Sequence, residues 1–271
     1  MAKSGMLAQV KIAGAAVAFA GEATTGAGDL VYQITDLTKR ILDRTIDILV
    51  HVFTANNAAE AGTTTTNIKV TAHGLAVNDL IVNTSRADAA RLVTVVVDVD
   101  NVTVAAVTSQ TDTDTIAFYP TAADSATTKN RLTGSVTFTP VLARVVKISS
   151  SYIPLTAAAE AHAYAYVLKS ENIDITKFSL THTYRTRQRT IKDISGSISE
   201  WATTDTTFHD ALIAGLPVMI EFWSDTGGTL DVKAWVLLNR KAIAAVADGE
   251  IDETVDFEGT MDADNNSVSF S

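Results

Sequence analysis

The residues with the plainest capacity for chemistry are carboxylates near the C-terminal end. In the stretch DGEIDETVDFEG, Asp248, Glu250, Asp252, Asp256 and Glu258 share one parity, while Ile251, Val255 and Phe257 share the other. Side chains of an extended strand alternate between faces, so the stretch predicts a strand with one apolar face and one carboxylate stripe. Paired carboxylates can act as general acid and base, but glycoside chemistry needs two at a defined separation, and nothing in this spacing singles out such a pair. Like charges crowded on one face repel one another. A stripe of this kind is a solvated outer face, the complement of a basic partner, or a surface that keeps nucleic acid away.

A basic counterpart lies upstream. In KFSLTHTYRTRQRT, Arg185, Arg187 and Arg189 share a face with Thr181 and Thr183, while Phe178, Leu180, His182 and Tyr184 take the other. Lys177 to Lys192 holds five basic residues and no acidic one; Asp248 to Asp264 holds eight acidic residues and no basic one. Dispersed charges of both signs would minimise self-repulsion, so this segregation points to strands that meet, within one subunit or between copies. A nucleic-acid stripe at Arg185–Arg189 lacks aromatic side chains on the same face for bases to stack on.

Other catalytic constellations are missing. The chain has no cysteine, which removes thiolate nucleophiles, cysteine–zinc sites and disulfides. Its five histidines, at 51, 73, 162, 182 and 209, lack the close spacing of a metal pair. The glycines of GEATTGAGD miss the dinucleotide-binding spacing, and there is no nucleophile elbow, zincin motif or phosphate loop. The expectation is a protein that is not an enzyme and carries no cofactor or metal.

The elements that would position these residues are mainly strands. At 271 residues the chain can bury one large or two ordinary cores, and Thr, Val, Ile and Ala are abundant where Glu and Lys are scarce. A formal net charge of −10 disfavours broad gripping of nucleic-acid phosphates. No apolar run reaches the ~20 residues of a membrane-spanning helix. The N-terminal KIAGAAVAFAGEA, with AFA at Ala18 to Ala20, meets the loose recipe of a secretory signal; the other reading is an ordered N-terminal strand.

Along the chain, DLVYQIT and RTIDILVHVF read as a long hairpin or sheet edge. TANNAAEAGTTTTN then reads as a linker. Five short strands follow within residues 67–119: NIKVTAH, DLIVNTS, RLVTVVVD, NVTVAAVT and DTIAFY. A second polar tract, TAADSATTKN, closes them off. The predicted organisation is a main domain of residues 1–53 and 131–271 with an inserted β-module at 54–130. The one clear helix lies in TTDTTFHDALIAGLP: Asp205 or Thr206 can cap it, Phe208 and Leu212 align on one face, and Gly215 with Pro217 stops it. Phe208, Leu212 and Trp223 are the expected anchors between helix and sheet. The fold class expected is mainly β: an antiparallel sandwich or partial barrel with one short helix, plus a small barrel-like insert.

The order of these elements resembles the major tail protein, or tail tube protein, of long-tailed bacteriophages. The matching stretches are VYQITDLTKRILDRTIDILV, the SYIP turn at Ser151 to Pro154, ENIDITKF, and DISGSISEWATTDTTFHDALIAGLPVMIEFW. They cover residues 25–53 and 132–271, leaving the insert outside; the insert, with AHGLAVND, looks like small β-modules of phage structural proteins. The resemblance implies hexameric rings stacked into a tube in the virion, assembled in the host cytoplasm, whose electronegative lumen passes double-stranded DNA. It implies contacts with copies of itself and with terminator, tape-measure and distal tail proteins, and none with membrane. The carboxylate stripe then lines the lumen or docks the Arg185–Arg189 strand of a neighbour. Two other classes fit the composition: a tail terminator or head–tail connector ring protein, and a secreted β-rich adhesin.

Overall fold

The computed structural model describes residues 9–25, 31–86, 89–105, 110–122, 127–138, 145–158, 161–174, 187–201, 207–224, 230–244, 251–261 and 268–270. The chain divides into two compact units, Met1–Gly14 with Leu155–Ser271, and Ala15–Pro154. All strand pairings are antiparallel, and the described residues hold one α-helix, so the protein is mainly β as composition predicts.

Strand β1 (Gln9–Ala13) belongs to the first unit, and the next twelve strands build the second. These are β2 (Val17–Ala23), β3 (Val31–Gln33), β4 (Leu49–Val52), β5 (Ala55–Ala58), β6 (Asn67–Lys69) and β7 (Leu80–Asn83). After them come β8 (Arg91–Val96), β9 (Asn101–Val104), β10 (Thr115–Tyr119), β11 (Thr127–Asn130), β12 (Ser135–Phe138) and β13 (Val146–Tyr152). The five short strands read from residues 67–119 are β6 to β10. They join β5 in a six-stranded sheet of order β5-β10-β7-β8-β9-β6 around Ile68, Val93, Val102 and Ile116. At its rim Asp114 accepts from Arg86 (2.6 Å), Asn83 (2.8 Å) and Thr111 (3.1 Å), which holds its carboxyl well below the usual carboxylate range.

Three expectations change here. Of the two readings of DLVYQIT with RTIDILVHVF, the hairpin does not form and the sheet edge does: β3 pairs with β12 and β4 with β13, each the end strand of a three-stranded sheet among the described residues. Side-chain turns intervene. Asp36 caps a 3-10 turn at Leu37–Lys39, and Asp43 accepts from the amides of Thr45 and Ile46, so the strand alternation read from Ile46 onward starts only at Leu49. The tract read as a linker contributes β5, whose Ala and Asn residues have little strand preference but find a backbone ladder on β10. The tract at 121–130 likewise ends in β11, which pairs with β12 across the expected 130/131 boundary. The run containing Ala18 to Ala20 is strand β2, paired with β13 from Tyr152 to Lys147.

The first unit continues with β14 (Leu155–Ala157), β15 (Ala161–Asp174), β16 (Arg187–Trp201), helix α1 (Thr207–Ala214), β17 (Val218–Trp223), β18 (Leu230–Ala244), β19 (Asp252–Gly259) and β20 (Val268–Phe270). The sheet order is β14-β1-β17-β18-β19-β16-β15, with β20 also on β18. The 15-residue β18 pairs with β17 through its first half and with β19 through its second, with a register shift at Leu238/Arg240. Bulges bend and twist a strand, and here the sheet curls into a half-barrel around Val10, Ile12, Ile194, Ile198, Ile220, Phe222, Val255 and Phe257. Phe208 and Leu212 close this core from α1, as the sequence predicts, and Gly215 ends the helix with φ +61. The cap candidates Asp205 and Thr206 lie outside the described residues. Trp223 departs from expectation: it sits off this core, with Lys11 3.9 Å above its ring and its indole N–H donated to Glu221 (3.0 Å).

Candidate functional site: the outer face of the long sheet

Strand β19 keeps the alternation seen in the sequence. Val255 and Phe257 are fully buried, while Asp252 and Glu258 are exposed and Asp256 is half-buried on the opposite face. Asp248 and Glu250 lie outside the described residues, so the structure brings together Asp252, Asp256 and Glu258 of the stripe. β19 is an interior strand, hydrogen-bonded to β16 on one side and β18 on the other.

Register lays the outer face out in rows. Val167, Ser195, Glu258 and Leu237 form one; Ala165, Ser197, Asp256 and Arg240 the next; Ala163, Ser199, Thr254 and Ala242 the third. Trp201, Asp252 and Ala244 form the last. Most of these side chains are Ala, Ser or Thr, so the face is shallow and the carboxylates stand out from it. Gly196, on the core side between Tyr166 and Phe257, lets the strands approach: a Cβ there would lie 2.1 Å from the Ala165 carbonyl oxygen.

The basic stripe is placed differently. Arg185 lies outside the described residues; Arg187 pairs in register with Asp174, and Arg189 with Asn172. Strands β16 and β19 are neighbours, but their pairing begins at Ser195 with Glu258, beyond both arginines. The residue opposite Asp256 is instead Arg240 on β18. Within the described part of the subunit, the two stripes therefore share a sheet without facing each other. The register shift in this pair falls at Glu171/Asn172, between Ile191 and Arg189 on β16, so the pairing from Arg189 to Arg187 is itself regular.

Several polar clusters escaped sequence reasoning because their members are far apart in the chain. Lys241 reaches Glu200 (3.6 Å) and Glu253 where the core ends. Nearby, His162 stacks on Trp201 at 4.8 Å, with Asp252 3.9 Å from Nε2. On the other half of the sheet Glu221, buried between Lys11 and Lys233 in register, has its carboxyl pushed up by desolvation.

In the second unit His51 Nε2 lies 2.8 Å from Ser149 Oγ, the spacing of a base and a nucleophile. Ser149 also lines a cleft of about 490 Å³ with Phe19, Ile46, Asp47 and Leu92. The pair is nonetheless built as a structural clip. His51 is fully buried, desolvation lowers its pKa to about 4, and Ser149 Oγ already accepts from the Gly21 amide (2.9 Å). A base so weak removes little of a hydroxyl's proton near neutrality. No helix among the described residues is long and apolar enough to cross a membrane.

No family model and no curated protein matches this chain. Solved structures are similar to part of it, two of them particles of a gene transfer agent. One is the tail of an empty gene transfer agent particle, from helical refinement with C6 symmetry: TM-score 0.35, 14% identity, 44% of this chain and 87% of that one. The other is the virion of a native gene transfer agent particle: TM-score 0.34, 14% identity, 43% of this chain and 88% of that one. At this level the likeness decides neither fold nor function.

Proposed function

We propose that this chain is a structural subunit of a phage-like tail, polymerising as stacked hexameric rings into the tube that conducts the genome, with the outer face of β15, β16, β19 and β18 as the wall of the conduit. The observation that carries this reading is that face. It is wide, shallow, paved with Ala, Ser and Thr, and bears Asp252, Asp256 and Glu258 with few cations. A wall past which DNA slides needs low relief and a field that repels phosphates, and repetition around a ring multiplies that field. The 14-residue β15 forms one edge of the sheet, with no further strand on it among the described residues. A long open edge is a template for another chain, and a copy of the same sheet is the natural continuation. The resemblance of the sequence to tail tube proteins supplies the ring number, the virion location and the neighbouring tail proteins.

Electron microscopy of the purified protein tests the reading. Tubes of stacked rings are expected; isolated rings would favour a terminator or connector, and persistent monomers would end the proposal. Neutralising the face with Asp252→Asn, Asp256→Asn and Glu258→Gln should leave tube yield unchanged or higher, while particles carrying the variant deliver less DNA. If neutralisation and added salt instead lower tube yield together, the carboxylates serve subunit contact and the wall assignment fails.

A further inference from the structure

Within the second unit, the six-stranded sheet and the sheet β2-β13-β4 meet along a thinly packed seam. Among the described residues its buried apolar cluster is Leu80, Ala117 and Tyr119, with Ala20, Phe53 and Leu92 partly buried beside it. The cores on either side are larger, with ten buried residues around Ile68 and Val93 and eight around Tyr32 and Ile148. Parting the seam therefore exposes less apolar surface than unfolding either core.

A chain of polar groups crosses this seam, and its hydrogens can be assigned. Thr121 donates its hydroxyl to the Asn78 carbonyl (3.1 Å), which leaves its oxygen to accept from His51 Nδ1 (3.4 Å). With the ring proton on Nδ1, Nε2 accepts from the Ser149 hydroxyl (2.8 Å), whose oxygen accepts from the Gly21 amide (2.9 Å). Gly21, Ser149 and His51 stand on β2, β13 and β4, whereas Asn78 and Thr121 flank strands of the six-stranded sheet. The neutral ring fits this relay and the imidazolium does not: a proton on Nε2 would meet the Ser149 hydroxyl hydrogen across 2.8 Å. That hydroxyl has room to turn only towards the cleft of about 490 Å³ that Ser149 lines. The cleft's walls come from both sides of the seam, Phe19 and Leu49 from one, Asn78 and Leu92 from the other. Water entering there would solvate a charge on His51.

The charged groups around the ring do not solvate it while the seam is closed. Asp79 favours the imidazolium, but its oxygens already accept from the amides of Thr121 (2.8 Å) and Ala76 (2.7 Å). Lys147, the register partner of His51 on β13, brings a cation that donates to the Gly21 carbonyl (3.1 Å), 5.7 Å from the centre of the Tyr119 ring. Glu22 on β2 is paired with Lys39, and Asp47 lines the cleft.

We infer that the seam is an acid-operated joint, in which protonation of His51 parts the six-stranded sheet from β2, β4 and β13 while the cores on both sides stay folded. The inference does not depend on the tube reading.

Amide hydrogen exchange of the purified protein, resolved by residue at pH 7 and pH 4.5 and corrected for intrinsic rates, tests the joint. An opened seam frees the Gly21 and Thr121 amides, and its histidine titrates as in an unfolded chain. With a closed-state pKa of about 4, protection of these two amides should fall roughly fiftyfold between the two pH values. Amides in the β6–β9 and β3–β12 ladders should keep theirs. In His51→Gln the side chain still accepts from Ser149 and donates to Thr121 but takes no charge, so the fall at Gly21 and Thr121 should vanish. An equal fall in wild type and variant, no fall at the seam, or a fall as large in the β6–β9 and β3–β12 ladders would overturn the joint. Should the variant not fold, the contrast between seam and ladder amides in the wild type decides by itself.

Discussion

His51 ties a single side chain to the acid stability of the protein. Its ordinary pKa of 6.5 falls to about 4 in the fold because burial disfavours the imidazolium, an effect only partly offset by Asp79. Between these values the unfolded chain binds a proton that the folded chain does not, so stability rises with pH across the window. The contribution is complete above the unfolded pKa and is lost as pH falls towards 4, for a total of roughly 3 kcal/mol. His51→Gln retains a partner for Ser149 but cannot titrate. Urea midpoints at pH 7 and pH 4.5 should therefore differ more for the wild type than for this variant; equal differences would show that His51 protonates freely. At Gly196 the constraint is steric. Gly196→Ala pushes a methyl against the Ala165 carbonyl and the Phe257 ring, and should cost roughly 3 kcal/mol, whereas Ser197→Ala on the outer face should be nearly neutral. Thermal melts of the two variants make that comparison.

Helix α1 shows how an element divides its residues between core and solvent. Phe208 is buried and Leu212 packs against the half-barrel, while Ile213 is 71% exposed. Leu212→Ala should lower stability by roughly 2 kcal/mol, and Ile213→Ser by less than about 0.5 kcal/mol. Similar melting temperatures for both would mean that the helix does not close the core. Strand β19 makes the corresponding division with period two. Its inward Val255 and Phe257 fasten it between two neighbours, which holds the carboxylates in fixed rows.

At the scale of the molecule, the six-stranded sheet of residues 55–119 is built on strands that return to their starting point. The Val52 amide donates to the Pro120 carbonyl at 3.0 Å, and His51 bridges to Thr121, so the chain enters and leaves this sheet at one place within the second unit. We propose that this sheet is a removable module. It also packs on its support: Phe53 meets Tyr119 at 5.4 Å, and a Cβ on Gly21 would strike Ala90 and Leu80. Deleting residues 55–118 with a short Gly-Ser bridge, and changing the uncovered Phe53 to Ser, should leave a soluble protein with a cooperative melt. Aggregation of that variant, with its exposed apolar support already relieved, would show that the module is part of the core of the second unit.

Much of this protein is legible in its sequence where the information is local. The period-two pattern of β19, the five short strands at 67–119 and the Phe208–Leu212 helix with its glycine stop each depend on neighbours a few residues away. Strands β5 and β11 were hidden in Ala-, Asn- and Thr-rich tracts because their residues have little preference of their own; a partner strand decides the matter. Pairing across the chain also separated β3 from β4, since turns at Asp36 and Asp43 interrupt what looked like one hairpin. The buried groups His51 and Ser149 are 98 positions apart, a separation at which no spacing rule operates. The carboxylate stripe lies between these cases. Alternation alone makes it a charged face, but only the register of β16, β19 and β18 puts Asp256 beside Arg240 and carries Arg187 and Arg189 past its end, because which strands become neighbours is decided by burial of the common core.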